Sequence, residues 1–143
     1  MEYKLELVLI PVSDVDRAKK FYLEEAGFDL IVDTPIGEGK RVVQLNPPGS
    51  ACSIGFGTEI TSAAPGSAQG LHLVVSDILA ARAELTGRGV AVSAVRHLES
   101  GTWVEGPHPE RADYQSFADF KDPDGNIWIL QEVARDGDSH EPR

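Results

Sequence analysis

Two stretches of the chain carry the same pattern: an apolar run, a Val-Ser-Asp triplet, then apolar positions at helical spacing. The first copy reads LELVLIPVSD at residues 5–14 and the second LHLVVSD at 71–77, with Asp14 and Asp77 offset by 63 residues. After the triplets, Val15, Ala18, Phe21 and Tyr22 recur at helical spacing, as do Ile78, Ala81 and Leu85. Each segment is therefore expected to form a helix with one apolar stripe turned to a core. The two Asp residues suit its start, because a carboxylate oxygen accepts from the exposed amides of a first turn. Gly27 and Gly89 fall where a left-handed C-terminal residue is wanted.

Downstream of each helix the chain turns β-prone. Asp29–Asp33, Arg41–Leu45 and Cys52–Phe56 follow the first, and Val90–Val95, Phe117–Phe120 and Ile127–Val133 follow the second. Asn46-Pro47-Pro48-Gly49 and Asp122-Pro123-Asp124-Gly125 read as turns. Each half thus reads strand, helix, three strands. This predicts an α+β fold of two tandem βαβββ modules, at about residues 4–57 and 70–134, within a single domain spanning 1–134. The Ser-, Ala- and Gly-rich segment 58–69 reads as the linker between them, and 135–143 as a polar tail. Arg96–Gln115 reads as a long loop, of the length that marks a lid or an excursion.

Composition narrows the function more than the fold. The chain has 143 residues and 15.4 kDa, with 41% hydrophobic and 25% charged residues, the balance of a folding domain rather than a disordered one. Thirteen basic against 23 acidic residues give a net charge of -10. That charge repels phosphate backbones and anionic headgroups, so neither nucleic acid nor membrane is expected as a partner. The lone Cys52 cannot form an internal disulfide and suits a reducing compartment. The start Met1-Glu2-Tyr3-Lys4 lacks a signal-peptide pattern, so a cytoplasmic location is expected.

The PVSDVDRAKKFY opening, the repeated VSD-helix unit and the DPDGN turn before a final strand together resemble the vicinal oxygen chelate superfamily. Glyoxalase I, bleomycin-resistance proteins, fosfomycin-resistance enzymes and extradiol dioxygenases belong to it. The resemblance covers about residues 4–133. It implies that the curled sheets of the two modules surround a cleft, commonly completed by homodimerisation, and it implies no single reaction. In the metal-dependent members the ligands would fall on Leu7, Ser53, Gly70 and Ile129. A divalent cation needs several imidazole, carboxylate or thiolate donors, and this set supplies at most one weak oxygen. No metal and no cofactor are therefore expected. A register shifted by two residues would instead bring up Leu9, Gly55, His72 and Gln131, a poor metal set unless Glu99 or Glu105 joined it.

On the resemblance, the cleft floor is apolar, with His72, Gln131 and Ser53 as isolated polar points and Leu7 and Ile129 among the walls. Apolar walls with a few oriented polar groups are how small-molecule sites are commonly lined. Trp103, in the segment read as a loop, can stack on a flat ligand. His97 and His108 share that segment with Glu99 and Glu105, which leaves an acid–base or metal pairing open, but they read as solvated; Trp128 and Leu130 read as core, and Cys52 as a buried structural thiol. The expected function is binding of a small, partly apolar or aromatic organic molecule by a homodimer. The leading form is a metal-independent lyase, isomerase or cyclase with His72 as general acid or base. The rivals are a drug- or metabolite-sequestering protein of the bleomycin-resistance kind, and a metal-dependent glyoxalase-type lyase.

Overall fold

A computed structural model of the chain describes residues 1–134 as an α+β fold with two short helices and two sheets, of four and five strands. It separates into two compact units. One contains Met1–Gln69 with Lys121–Ile127, the other Gly70–Phe120 with residues 128–134. The polar tail 135–143 lies outside the described residues.

The first unit runs β1 (Leu7–Leu9), α1 (Val15–Lys20, continued by a π-helical stretch Phe21–Glu25), β2 (Asp29–Gly37), β3 (Lys40–Asn46) and β4 (Ser53–Gly57). The strand order is β1-β4-β3-β2, with β1 parallel to β4 and the other pairs antiparallel. Asp14 starts the helix as expected, accepting from the Arg17 amide, and Gly27 takes φ 77° beyond its end. Val43 pairs with Phe56 and Leu45 with Ile54, and all four are buried. Tyr22, 0% exposed, sets its ring 5.8 Å from Phe56, so this face of the sheet carries the core. Strand alternation then turns Val42, Gln44, Ser53, Gly55 and Leu7 to the opposite, open face.

The DPDGN turn belongs to this unit and explains its own sequence. Asp122 Oδ2 accepts from the Tyr22 hydroxyl (2.7 Å) and from Asn126 Nδ2 (2.7 Å), while Oδ1 accepts from the amides of Asp124 and Asn126. Asn126 also donates to the Pro11 carbonyl and accepts from the Ala68 amide. Gly125 sits at φ 96°, a backbone conformation that side chains disfavour.

The second unit runs β5 (Leu71–Val75), α2 (Ile78–Gly87), β6 (Arg96–Glu99), β7 (Thr102–Glu105), β8 (Phe117–Lys121) and β9 (Ile127–Glu132), ordered β5-β9-β8-β6-β7. Asp77 caps α2 through the amides of Leu79 and Ala80, and Gly89 (φ 98°) follows its end. Trp128, Leu130, Ala118 and Phe120 are buried on one face of the sheet, with Phe120 stacked on Trp128. That face meets α2, since Glu132 accepts from the Ile78 amide.

Two expectations fail here. Val90–Val95 buries Val90, Val92 and Val95 but forms no strand, because Arg82 takes the carbonyls of Val92 and Ser93 that a ladder would use. The segment read as a loop instead holds the β6–β7 hairpin. It turns through Ser100 and Gly101, both at positive φ (50° and 81°), the backbone of a tight two-residue hairpin turn. The second half therefore has four strands after its helix, and Trp103 lies on a strand.

Candidate functional site

The open face of the second sheet collects most of the residues singled out from sequence. The parallel register of β5 on β9 pairs His72 with Ile129 and Val74 with Gln131, and these alternate with the buried Trp128 and Leu130. On β8 the same alternation turns Phe117 and Asp119 to this face. Arg96 pairs with Phe117, and across the hairpin Leu98 pairs with Trp103 and Arg96 with Glu105. The face therefore carries, strand by strand, His72 and Val74, then Ile129 and Gln131, then Phe117 and Asp119, then Arg96 and Leu98, then Trp103 and Glu105.

The expected polar points differ in how much chemistry they keep. His72 is exposed, and its Nδ1 lies 2.7 Å from the Gly70 carbonyl. A carbonyl only accepts, so Nδ1 carries a proton, and in the neutral ring the lone pair lies on Nε2, away from that contact. Gln131 is half-buried, and its amide nitrogen donates to the Tyr114 carbonyl at 3.3 Å. His72 and Trp103 stand on the two edge strands, four strand spacings and so roughly 19 Å apart along the sheet; they do not share one small contact.

Trp103 is the most developed feature of the face. The residue is 50% exposed, with the Arg96 guanidinium carbon 4.8 Å from the ring centroid and the Phe117 ring edge-to-face at 5.7 Å. Arg96 is itself held by Asp119 Oδ2 at 2.9 Å and by the Ser93 hydroxyl at 3.2 Å. Neither Arg96 nor Phe117 was picked out from sequence. The signal was present only as alternation along strands whose pairing the sequence does not reveal.

Leu7 and Ser53 belong to the first unit, as Cα partners on its open face. Leu7 is 39% exposed, while Ser53 is buried and spends its hydroxyl on Asn46 Oδ1. A Cβ on Gly55 would come within 3.1 Å of Leu7, so the leucines of β1 lie over this glycine. A shallow depression of about 630 Å³ in the same unit, lined by Ser13, Asp14, Gly57, Thr58, Glu59 and neighbours, contains none of the expected site residues. Cys52 is half-buried and outside the strand, not the buried thiol expected.

The four positions implied for a metal are Leu7, Ser53, Gly70 and Ile129. Three carry no donor atom, and the fourth is engaged by Asn46, so this set does not fit a divalent cation. Among the described residues no group of three or more His, Cys, Asp or Glu converges as a metal site would require.

Two polar clusters lie behind the sheet. His97, expected to be solvated, is 3% exposed. Its Nδ1 meets the Gly106 carbonyl and its Nε2 the Glu99 carboxylate, each at 2.7 Å. The Glu99 hydrogen bond, then that to Gly106, raises its pKa above the ordinary histidine value. Glu132, 1% exposed, accepts from Arg111 Nε (2.8 Å) and Nη2 (2.5 Å) as well as from the Ile78 amide. The guanidinium holds the Glu132 carboxyl below its usual range.

Two βαβ-containing units, a DPDGN turn and an open sheet face match one family. The Glyoxalase/Bleomycin resistance protein/Dioxygenase superfamily model matches residues 4–130, and the chain belongs to that superfamily. Among solved structures, the antibiotic-binding protein TnmS3 from Streptomyces sp. CB03234 is 36% identical with a TM-score of 0.71, over 92% of this chain and 96% of that one. A glyoxalase/bleomycin resistance protein from the same organism is 37% identical with a TM-score of 0.68, over 90% and 99%. The Bacillus subtilis protein YetH is 26% identical over 128 residues, 87% of this chain and 94% of that one. No helix among the described residues is long and apolar enough to cross a membrane.

Proposed function

We propose that this protein binds a small, partly aromatic organic molecule on the open face of its second sheet and sequesters it without turnover. The observation that carries this is the half-exposed Trp103, packed against Arg96 and Phe117 on a face that also carries Leu98, Ile129 and Val74 among the polar Asp119, Glu105, Gln131 and His72. An exposed amphipathic aromatic among mixed apolar and polar side chains is a ligand surface rather than a proton-transfer centre. The likeness to TnmS3, an antibiotic-binding protein, supports the same reading. Screening aromatic drugs and metabolites by thermal shift and calorimetry should find a compound that binds saturably and is recovered unchanged; its conversion to product would sink sequestration.

One observation favours a metal-independent lyase, isomerase or cyclase instead: the Gly70 carbonyl holds the His72 proton at Nδ1, which leaves Nε2 of the neutral ring as the general base. His72→Leu distinguishes the two. A lost imidazole hydrogen bond weakens a binder by about tenfold at most, whereas loss of a general base lowers turnover by about two to four orders of magnitude. The assembly we propose is a homodimer. Leu5, Leu7 and Leu9 leave an apolar strip on the open face of the first unit, beside the edge strand β1. The free thiol of Cys52 supports a reducing, cytoplasmic location.

A further inference from the structure

We infer that His108 is an acid-sensitive clasp on the loop 106–115. As a neutral ring it folds the loop onto the second sheet; a proton at Nδ1 releases the loop and, with it, the Gln131 amide on the open face. Three successive loop amides end on this one residue. Nδ1 of His108 accepts from the Glu110 amide at 3.2 Å and from the Ala112 amide at 3.3 Å, and its carbonyl accepts from the Arg111 amide at 2.9 Å. Its own amide donates to the Ser116 hydroxyl at 2.9 Å, which ties the turn to the foot of β8. A ring nitrogen that accepts must be unprotonated, so the proton of the neutral ring sits on Nε2. Protonating Nδ1 sets one N–H against two others, and both bonds go together. The loop then has cause to move, because Arg111 and Tyr114 hold φ values of 53° and 67°, a left-handed backbone that non-glycine residues seldom adopt. Tyr114 meets β9 twice: its amide donates to the Glu132 carbonyl at 2.8 Å, and its carbonyl accepts from Gln131 Nε2 at 3.3 Å. The second contact is the longer and the one that reaches the open face, so a loosened loop frees a donor there.

The groups around the ring leave the switching to His108. On β6, His97 stands edge-to-face at 6.0 Å with an acceptor at each nitrogen, Gly106 and Glu99, and so requires a proton on both. The two rings need opposite states, His97 charged and His108 neutral. On the loop the charged neighbours are Glu110 and Arg111, and Arg111 is committed to Glu132 on β9 and to Asp77 at the start of α2. Ser116, on the β8 side, is uncharged. Both partners of Arg111 titrate below the ordinary carboxylate range, Glu132 chiefly through the Arg111 hydrogen bond and Asp77 chiefly through the Ala80 amide. Those ion pairs therefore persist in mild acid, where a histidine nitrogen takes its proton.

Amide exchange followed by nuclear magnetic resonance on the full chain, corrected for the intrinsic pH dependence of exchange, tests this at about pH 7.5 and about pH 5, on either side of the histidine range. Protection at Glu110 and Ala112 should fall about tenfold or more in acid. The side-chain amide signals of Gln131 should move with it, while protection at Leu130 within β9 stays as it was. His108→Asn sets a carboxamide oxygen near the place of Nδ1, an acceptor that takes no proton in this range, and should keep the loop closed at both pH values. His108→Leu should leave it open at both. Loop protection that is unchanged in the wild type, that falls in acid in His108→Asn as well, or that falls only together with Leu130 overturns the clasp. Gln131 signals that stay fixed while the loop opens overturn its link to the open face. No ligand enters the measurement, so its failure leaves the binding proposal standing.

Discussion

His97 faces an acceptor at each ring nitrogen, Gly106 O and Glu99 Oε2, and a neutral imidazole carries only one proton to donate. The geometry therefore asks for the imidazolium, in line with its raised pKa, for which the Glu99 hydrogen bond is the first cause. A group whose folded pKa is raised contributes stability that is fully present below its unfolded value, 6.5, and is lost as pH rises through the folded value. Denaturant midpoints should thus decline as pH is raised above 6.5, and the decline should be absent in His97→Gln. The nearby ring of His108, 6.0 Å away between centroids, makes His108→Gln the control for assigning the effect to His97. Asp33 obeys the opposite rule. The Arg41 hydrogen bonds, then that from Lys19, lower its pKa to about 2, so its contribution is present above pH 3.8 and lost only on deep acidification.

Strand β4 depends on glycine for a reason the sequence does not display. A Cβ on Gly57 would sit 2.4 Å from the Arg41 carbonyl oxygen on the neighbouring β3, and that oxygen is fixed by accepting from the Thr58 amide. Gly57→Ala should lower stability by about 2 kcal/mol or more, measured by chemical denaturation, because backbone rather than a flexible side chain must give way. In the second unit the loop from Gly106 to Gln115 is pinned by Arg111, itself at φ 53°, through Glu132 on β9 and Asp77 at the start of α2. Arg111→Leu leaves the buried Glu132 carboxylate with the Ile78 amide as its partner among the described residues and should cost about 2 to 3 kcal/mol, below the full penalty of a buried pair because the guanidinium is itself part-exposed. Adding Glu132→Leu should recover much of that loss, and a double-mutant cycle in urea measures the recovery.

The two units repeat a plan but differ in what their open faces offer. In the first, Leu7 and Leu9 lie over Gly55 and the hydroxyl of Ser53 is already satisfied, which suits contact with another apolar surface. In the second, Trp103, Gln131 and His72 remain accessible to different degrees. The proposed division of labour is that one face pairs with a second copy while the other takes the ligand. Light scattering should accordingly give roughly twice the 15.4 kDa of the chain. Leu7→Glu together with Leu9→Glu should shift the mass toward one copy, since two carboxylates on that strip resist burial.

Much of the architecture was legible without coordinates. The offset VSD triplets, their Asp caps and the glycines after each helix are local devices, and local hydrogen bonding settles them wherever the segment ends up. The hairpin at Ser100–Gly101 escaped notice because its strands are four residues each, too short to show a period, and exist by pairing with each other and with Phe117. Val90–Val95 misled for the complementary reason: its composition suits a strand, but Arg82 reached its carbonyls first. Membership in the superfamily and the expectation of an apolar binding face rest on motifs and alternation that sequence carries outright. That Arg96 and Phe117 meet Trp103, that Glu132 buries against Arg111, and that His97 lies inside rather than in solvent were set by tertiary contacts between residues up to 21 positions apart, and in a linear chain no pattern marks which of many such pairs the fold will bring together.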